Sequence, residues 1–562
     1  QVIDAENGKG TLPDNAVLLS FDDGYETMYN VVFPLLKAYN YPAVFAPVTG
    51  WLDTPANQKI AYADKMLDRS VFATWSQVKE MEQSGLVEVA SHTHNLHNGI
   101  NANPSGGQLP AVIAPEYKNG KYETEDAYKN RLKSDFTRTV QTLVNHIGKK
   151  PRVMVWPYGQ FNDVSVQIAR QAGMPHYFSL GEKIVNKVGD KHIGRLLLNA
   201  ETDLNTVKNY LDGIDESKQI QRVLHVDLDY VYDADKAQQA KNLDKLIDRI
   251  YRYGVTTVYL QAFSDPDGDG VADALYFPNK YLPVRDDIFG RIAWQLQTRA
   301  GVQVYAWMPV LAFDLRKGVK EAEYVIDSRT GKTSTKAYLR LSPYNKQNVE
   351  IIKSIYNDLS FYAKFNGILF HDDAFLTDFE GAEGNHAEGI VSPQAKQKTQ
   401  DLIQLTHQLT DALKPYFLRG SYSLKTARNL YASVITNPNA EEWLAQNLKT
   451  LTDNYDTTAI MAMPYMENEQ PISQEEAYQW FASLIENVKT QAPLDKVLFE
   501  FQAVNWRTQK PIPESELIDW MMLLQKNHIY SYGYYPDNFL TNQPDLNKMK
   551  PYFSVNTNAG KK

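Results

Sequence analysis

Cysteine is absent from the 562 residues. That removes disulfides, thiolate nucleophiles and Cys-ligated zinc at once, and leaves the redox compartment undecided. No apolar run approaches the roughly 18 residues of a membrane-crossing helix, so no transmembrane segment is expected. An excess of basic charge is also missing. Acids outnumber bases 67 to 58, for a formal charge of −9, whereas a nucleic-acid footprint would be basic. The first residues, QVIDAENGKGTLPDNAV, have neither the basic start nor the apolar core of an export signal. What remains is ordinary globular composition, 43% hydrophobic and 22% charged, in a chain long enough for more than one core.

From Ala16 onward, strand-like and helix-like segments alternate. AVLLSFDD reads as a buried strand, YNVVFPLLKAY as a helix, YPAVFAPVTGW as a strand, WSQVKEMEQSG as a helix and LVEVASH as a strand. A charged helix over about 124–147, the strand RVMVWPYG, a helix near 164–172 and short strands near Tyr177 and Leu196 complete this block. The polar stretch LDGIDESKQIQR reads as a linker. The boundaries are then a first domain over 1–212, a linker over 213–221, a second domain over 222–553 and a tail over 554–562. Eight strand candidates fill the second domain, from VLHVDLDYVY to IYSYGYYPD, with helical patterns between them. The fold class is α/β, and eight such units predict a (β/α)8 TIM-like barrel.

Three features of the first domain sit where an expected strand runs into a loop: Asp22-Asp23 in SFDDGY, His92 to His97 in SHTHNLH, and VWPYG at 155–159. The carboxyl ends of strands line the sites of α/β folds. Two imidazoles and one carboxylate make a facial set that leaves positions open on a divalent cation, and a second carboxylate beside it suits a general base. A lone DDG is more often a turn, and a lone HxH more often a surface pair. Adjacent aspartates in a strand point oppositely, so the chain is expected to turn at Gly24 for both to serve one site.

In the second domain ILFHDDA delivers His371, Asp372 and Asp373 to a strand's C-terminal end, where barrel enzymes keep catalytic groups. Capping of the next helix is the plainer reading of that pair. Other strand ends supply Asp227 and Asp229, Trp307, Tyr465 with Glu467, Glu500, Trp506, and Tyr534 with Tyr535. Rings and acids together suit sugar faces and hydroxyls. DPDGDG at 265–270 begins like a calcium loop, but Tyr276 stands where the twelfth-position Glu should be, so a polar turn is expected.

SFDDGY, SHTHNLH and WPYG resemble the motifs of NodB-type, family 4 carbohydrate esterases. Over about 11–553, stretches such as HVDLDYVYD, QAFSDPDGDG, ILFHDDA, KTARN and GYYPDNFL are similar to the PgaB/HmsF group, the poly-β-1,6-N-acetylglucosamine N-deacetylases of bacterial biofilm export. The resemblance implies a distorted (β/α) NodB-type barrel followed by a glycoside-hydrolase-like barrel. It implies that Asp23, His92 and His97 hold a divalent metal ion (zinc, nickel, cobalt or iron), that Asp22 is the general base and that the Tyr158 backbone N–H serves the oxyanion. His94 is not needed. In the second barrel it implies Asp372 as the acid candidate, for which Glu500 and Asp373 are candidate partners; on their residue chemistry Asp373, Trp307, Tyr465, Glu500, Trp506 and Tyr534 are the candidate sugar contacts. That barrel would bind the partly deacetylated polymer and, in some members, cleave it; the alternative is a non-catalytic guide, or a deacetylase of another N-acetylglucosamine polymer. Expected partners are the β-1,6-N-acetylglucosamine polymer and an outer-membrane export porin, in the periplasm. The family's catalytic acid is a histidine upstream of the DD motif, so that segment and a lipid-anchored export signal are expected to precede Gln1; His192 is a weak substitute.

Overall fold

Six parallel strands build the N-terminal unit: β1 (Leu19–Asp23), β2 (Ala43–Pro47), β3 (Val87–Val89), β4 (Val153–Val155), β5 (His176–Leu180) and β6 (His192–Arg195). They form two three-stranded sheets, β1-β2-β3 and β4-β5-β6, linked by a parallel bridge between Ser91 and Met154. Val44, Ala46, Ala90, Val153, Val155, Phe178 and Ile193 point inward as one apolar cluster, with Leu18 and Ile3 against it. Between β1 and β6 the described residues close the ring by side chain: the Arg195 guanidinium reaches Ser20 and Asp22. This is the geometry of a distorted barrel. The expected burial of β1 is corrected, because all five of its residues are half-buried at the edge of their sheet.

The computed structural model describes residues 1–181, 185–199, 202–211, 220–381, 391–419 and 423–555. The chain divides into two compact units, Gln1–Asp215 with Pro415–Ser423, and Glu216–Lys414 with Leu424–Lys562. Most of the expected linker and the tail from 556 lie outside the described residues. The segment Pro415–Ser423 falls inside the expected second domain but clusters with the first unit. Phe161 and Arg419 exchange backbone hydrogen bonds, and Tyr416 donates its hydroxyl to Glu125, so the segment belongs to the first unit. Among the described residues no helix is long and apolar enough to cross a membrane.

In the second unit eight parallel strands close a barrel in chain order: β7 (Arg222–Val226), β8 (Thr257–Gln261), β9 (Gln303–Met308), β10 (Gly367–Phe370), β11 (Lys425–Tyr431), β12 (Thr457–Met461), β13 (Val497–Gln502) and β14 (Tyr532–Tyr535). All eight coincide with strand candidates. The strands read as near-continuous apolar runs because both faces are covered, one by barrel interior and the other by helices. Gly367 is small for a reason: a Cβ there would lie 2.9 Å from the Tyr305 ring.

Candidate functional site

The first site is assembled by three backbone reversals. Asp23 sits at φ 71°, Thr93 at φ 69° and Tyr158 at φ 59°, a region that L-residues occupy only where the surroundings enforce it. The turn expected at Gly24 therefore begins one residue earlier, at Asp23 itself. This lets adjacent side chains serve one cleft despite strand alternation. Gly24, at φ 100°, completes the reversal, with Leu52 and Pro47 each 3.0 Å from where its Cβ would be.

The result is convergence. Asp23 Oδ1 lies 3.3 Å from His92 Nε2 and 3.2 Å from His97 Nε2, and one ligand atom from each lies within 4.8 Å of the others. His92 Nδ1 faces the Val155 carbonyl at 2.7 Å. Nδ1–H donates to that carbonyl, which keeps the proton on Nδ1 and fixes the tautomer in which Nε2 offers its lone pair. Tyr62 donates its hydroxyl to Asp23 Oδ2 at 2.7 Å. Trp51, Tyr62 and Tyr158 wall the His97 ring at centroid separations of 5.1, 6.1 and 4.6 Å. Burial opposes the Asp23 charge, but the two histidines outweigh it and hold the carboxyl well below its usual range. The donor set fits a divalent cation: two nitrogens and one carboxylate oxygen, with their partners already oriented.

Asp22 is held by a residue outside the sequence motifs, Arg195. Arg195 forms a two-pronged pair with it, Nη1 to Oδ1 at 2.8 Å and Nη2 to Oδ2 at 2.9 Å. The only local signal was an arginine ending a short strand. His94 is not a ligand; its Nδ1 shares a hydrogen bond with Thr49 at 2.9 Å. His192 starts β6 while Arg195 ends it, and its Nε2 is 2.6 Å from Ser179 Oγ, so it stands at the wrong end of the strand to replace an acid.

Asp135, buried on the helix Glu125–Ile147, accepts the backbone N–H groups of His94 and Asn95 at 2.8 and 2.7 Å. It pins the histidine loop. Burial pushes its carboxyl up to about 6, against those two hydrogen bonds. The unfolded chain therefore releases this proton at lower pH than the folded chain, and stability falls as pH rises from 3.8 to about 6. Asp135→Asn should flatten this part of the Tm-versus-pH curve measured by calorimetry; an unchanged slope would contradict the assignment.

The barrel mouth is a second constellation. Glu500, 1% exposed, lies 2.9 Å from His225 Nε2 and accepts from Asn429 Nδ2 at 2.7 Å. The Trp307 ring stands 5.0 Å from His225, 5.4 Å from His371 and 5.5 Å from Tyr535, with Trp506 beyond Tyr535. Asp372 accepts from Tyr338 and Tyr431 at 2.8 and 2.7 Å and pairs with His371 at 3.0 Å. Burial works against its charge, yet His371 and the tyrosines bring its pKa below the ordinary value. That direction suits an ionised carboxylate more than a proton donor. Asp227, hydrogen-bonded to Tyr535, goes the other way: burial and the like charges of Asp229 and Asp265 push it up to about 7.

Two expected sugar contacts are corrected outright. Asp373 is fully buried and its carboxylate accepts the N–H groups of Val310, Leu311 and Ala312. Losing it strands three donors at roughly 1–3 kcal/mol each, so Asp373→Ala should lower the unfolding midpoint sharply in a urea titration; a loss below 1 kcal/mol would argue against the role. Tyr534 is fully buried among Tyr253, Phe553 and Asp537. Alternation along β14 turns Tyr535 into the mouth instead. Tyr465 donates its hydroxyl to Glu516. Asp229 is occupied by Arg285, Tyr276 and Gln261. In DPDGDG, Asp265 accepts the N–H groups of Gly268, Asp269 and Gly270, as a polar turn does.

Residues 9–177 match the family model described as polysaccharide deacetylase, and residues 225–535 match hypothetical glycosyl hydrolase family 13. The chain is 40% identical to the poly-beta-1,6-N-acetyl-D-glucosamine N-deacetylase of Escherichia coli K12, across 99% of this chain and 85% of that protein. It is 28% identical to the Staphylococcus aureus protein of the same name, over 37% of this chain and 62% of that one. Among solved structures, the PgaB (BpsB) glycoside hydrolase domain from Bordetella bronchiseptica matches with a TM-score of 0.55 at 40% identity, covering 60% of this chain and 99% of that one.

Proposed function

Because the chain belongs to the family of poly-β-1,6-N-acetyl-D-glucosamine N-deacetylases, polysaccharide N-deacetylases that hydrolyse amide bonds, we propose that it deacetylates that polymer with a divalent metal held by Asp23, His92 and His97. The observation that carries the reading is the convergence of those three side chains on one point. A divalent ion there, zinc, nickel, cobalt or iron, supplies Lewis acidity toward the acetamide carbonyl and the attacking water. Asp22 takes the proton of that water, its two oxygens fixed by Arg195. The Tyr158 backbone N–H, turned by its left-handed φ, donates to the oxygen that becomes negative. The rings of Trp51, Tyr62 and Tyr158 around His97 would offer the sugar an aromatic face. Acetate release should be seen with the N-acetylated β-1,6 polymer, fall on chelation and return on adding a divalent ion. Equal release from chitin or peptidoglycan, or release indifferent to chelation, would overturn it.

For the second unit we propose binding and endo-cleavage of the partly deacetylated polymer, with Asp227 as the proton donor and Asp372 as the ionised partner. Two carboxyl groups whose surroundings drive their pKa values apart support these separate roles. Asp227→Asn should lower the rate of chain shortening about 10²-fold or more, read by mass spectrometry of products. Binding without any shortening in the unaltered protein would favour the non-catalytic guide. The periplasm, beside an outer-membrane export porin, is the proposed place of action, on the strength of the polymer that the family is named for; fractionation of producing cells tests it.

A further inference from the structure

The hairpin of Lys59–Tyr62 and Lys65–Asp68 lies outside the three motifs of the first site, yet it reaches the centre. Strand parity sets its inner face. Lys59 and Ala61 are exposed, whereas Ile60 is buried in the core with Phe45 and Val89, and Tyr62 packs against that same cluster. The chain reverses directly after Tyr62, with Ala63 at φ 52°. Alanine carries that conformation only where its surroundings enforce it.

The Tyr62 ring stacks on His97 at 6.1 Å and tilts against Trp51 at 5.4 Å and Tyr25 at 6.0 Å. Phenylalanine would pack there equally well, so the ring contacts do not account for the hydroxyl. That hydroxyl donates to Asp23 Oδ2 at 2.7 Å. Both imidazoles face the other oxygen: Oδ1 lies 3.3 Å from His92 Nε2 and 3.2 Å from His97 Nε2. The two oxygens of one carboxylate thus have separate partners.

A carboxylate can grip a cation with one oxygen or with two, and the second oxygen fills a position that a catalytic centre needs open. A phenol keeps its proton near neutral pH, so Tyr62 is a donor to Oδ2. It is also uncharged. It occupies that oxygen without cancelling the negative charge that draws a cation, whereas a guanidinium like the one on Asp22 would compete with it. We propose that Tyr62 is a positioning residue of the metal centre, holding Asp23 to ligation through Oδ1 alone. The inference rests on the metal reading above.

Tyr62→Phe in the full chain tests it, because the ring stays and only the hydroxyl goes. Circular dichroism and the unfolding midpoint should match those of the unaltered protein. At zinc saturation kcat should fall about 10- to 100-fold, the range for lost partners of metal-binding side chains. The deciding readout is the visible absorption of the cobalt-loaded proteins, whose bands weaken as the ion gains ligands. They should be weaker in Tyr62→Phe, where Oδ2 is free to join Oδ1 on the ion. Tyr62→Leu should weaken them equally; a change confined to Tyr62→Leu would assign the effect to ring packing and overturn the inference. One cobalt spectrum shared by the unaltered protein and Tyr62→Phe would also overturn it, and would leave the metal reading standing. No uptake of zinc or cobalt by the unaltered protein would sink both.

Discussion

Asp23→Asn should lower acetate release at least ~10³-fold, because without a cation the attacking water loses its raised acidity, and should leave the fold intact. Asparagine is the informative substitution. It keeps the size of the side chain and tolerates the left-handed φ of 71° that alanine would strain, so a loss of activity cannot be charged to the turn. The amide still accepts from Tyr62 but no longer offers an anionic oxygen to a cation. His92→Ala should act in the same way, with one difference: it also strands the Val155 carbonyl and so costs some stability. Both variants should bind markedly less zinc than the parent when dialysed against the same zinc buffer and assayed by mass spectrometry. Retained zinc and retained activity in either would remove Asp23 or His92 from the centre.

The eight barrel strands and the site-bearing loops of the first unit were legible in the sequence because their signals are local. Apolar runs of strand length end in polar residues of one chemistry, and Asp22-Asp23, His92 and His97 lie within such ends. What escaped was what depends on distant chain segments or on strand parity. Arg195 reaches Asp22 from the opposite edge of the sheet array, and nothing around it in sequence points there. Asp135 looks like any charged residue of a long helix until its burial against the histidine loop is seen. The assignments of Asp373 and Tyr534 failed for a common reason. In a parallel barrel both faces of a strand are buried, so the hydrophobic pattern does not tell which of two neighbours faces the mouth. Asp372 and Asp373 are adjacent, as are Tyr534 and Tyr535, and in each pair the other residue faces the interior constellation. The charge state of Asp372 was equally invisible, since His371, Tyr338 and Tyr431 set it and two of these come from other elements.

Asp22→Asn should lower kcat about 10²–10⁴-fold, the range of general-base contributions, while zinc binding at the Asp23 centre stays at the parent level. Arg195 bears on the same step without touching substrate. Its fork holds both Asp22 oxygens and also donates to Ser20 at 2.8 Å, so the carboxylate has one orientation toward the cleft. Removing the fork with Arg195→Met leaves Asp22 free to rotate, and misplacement of a reacting group by about 1 Å costs up to about 10²-fold. The loss should fall on kcat with KM little changed, since the sugar still meets the Trp51, Tyr62 and Tyr158 wall. Arg195→Lys should recover only part of the rate, because an ammonium is a point charge and cannot grip both oxygens in one plane. A merely structural arginine would show a different pattern: lowered stability with kcat per folded molecule intact in both variants. Full recovery by lysine would mean that charge alone matters and that orientation of Asp22 does not.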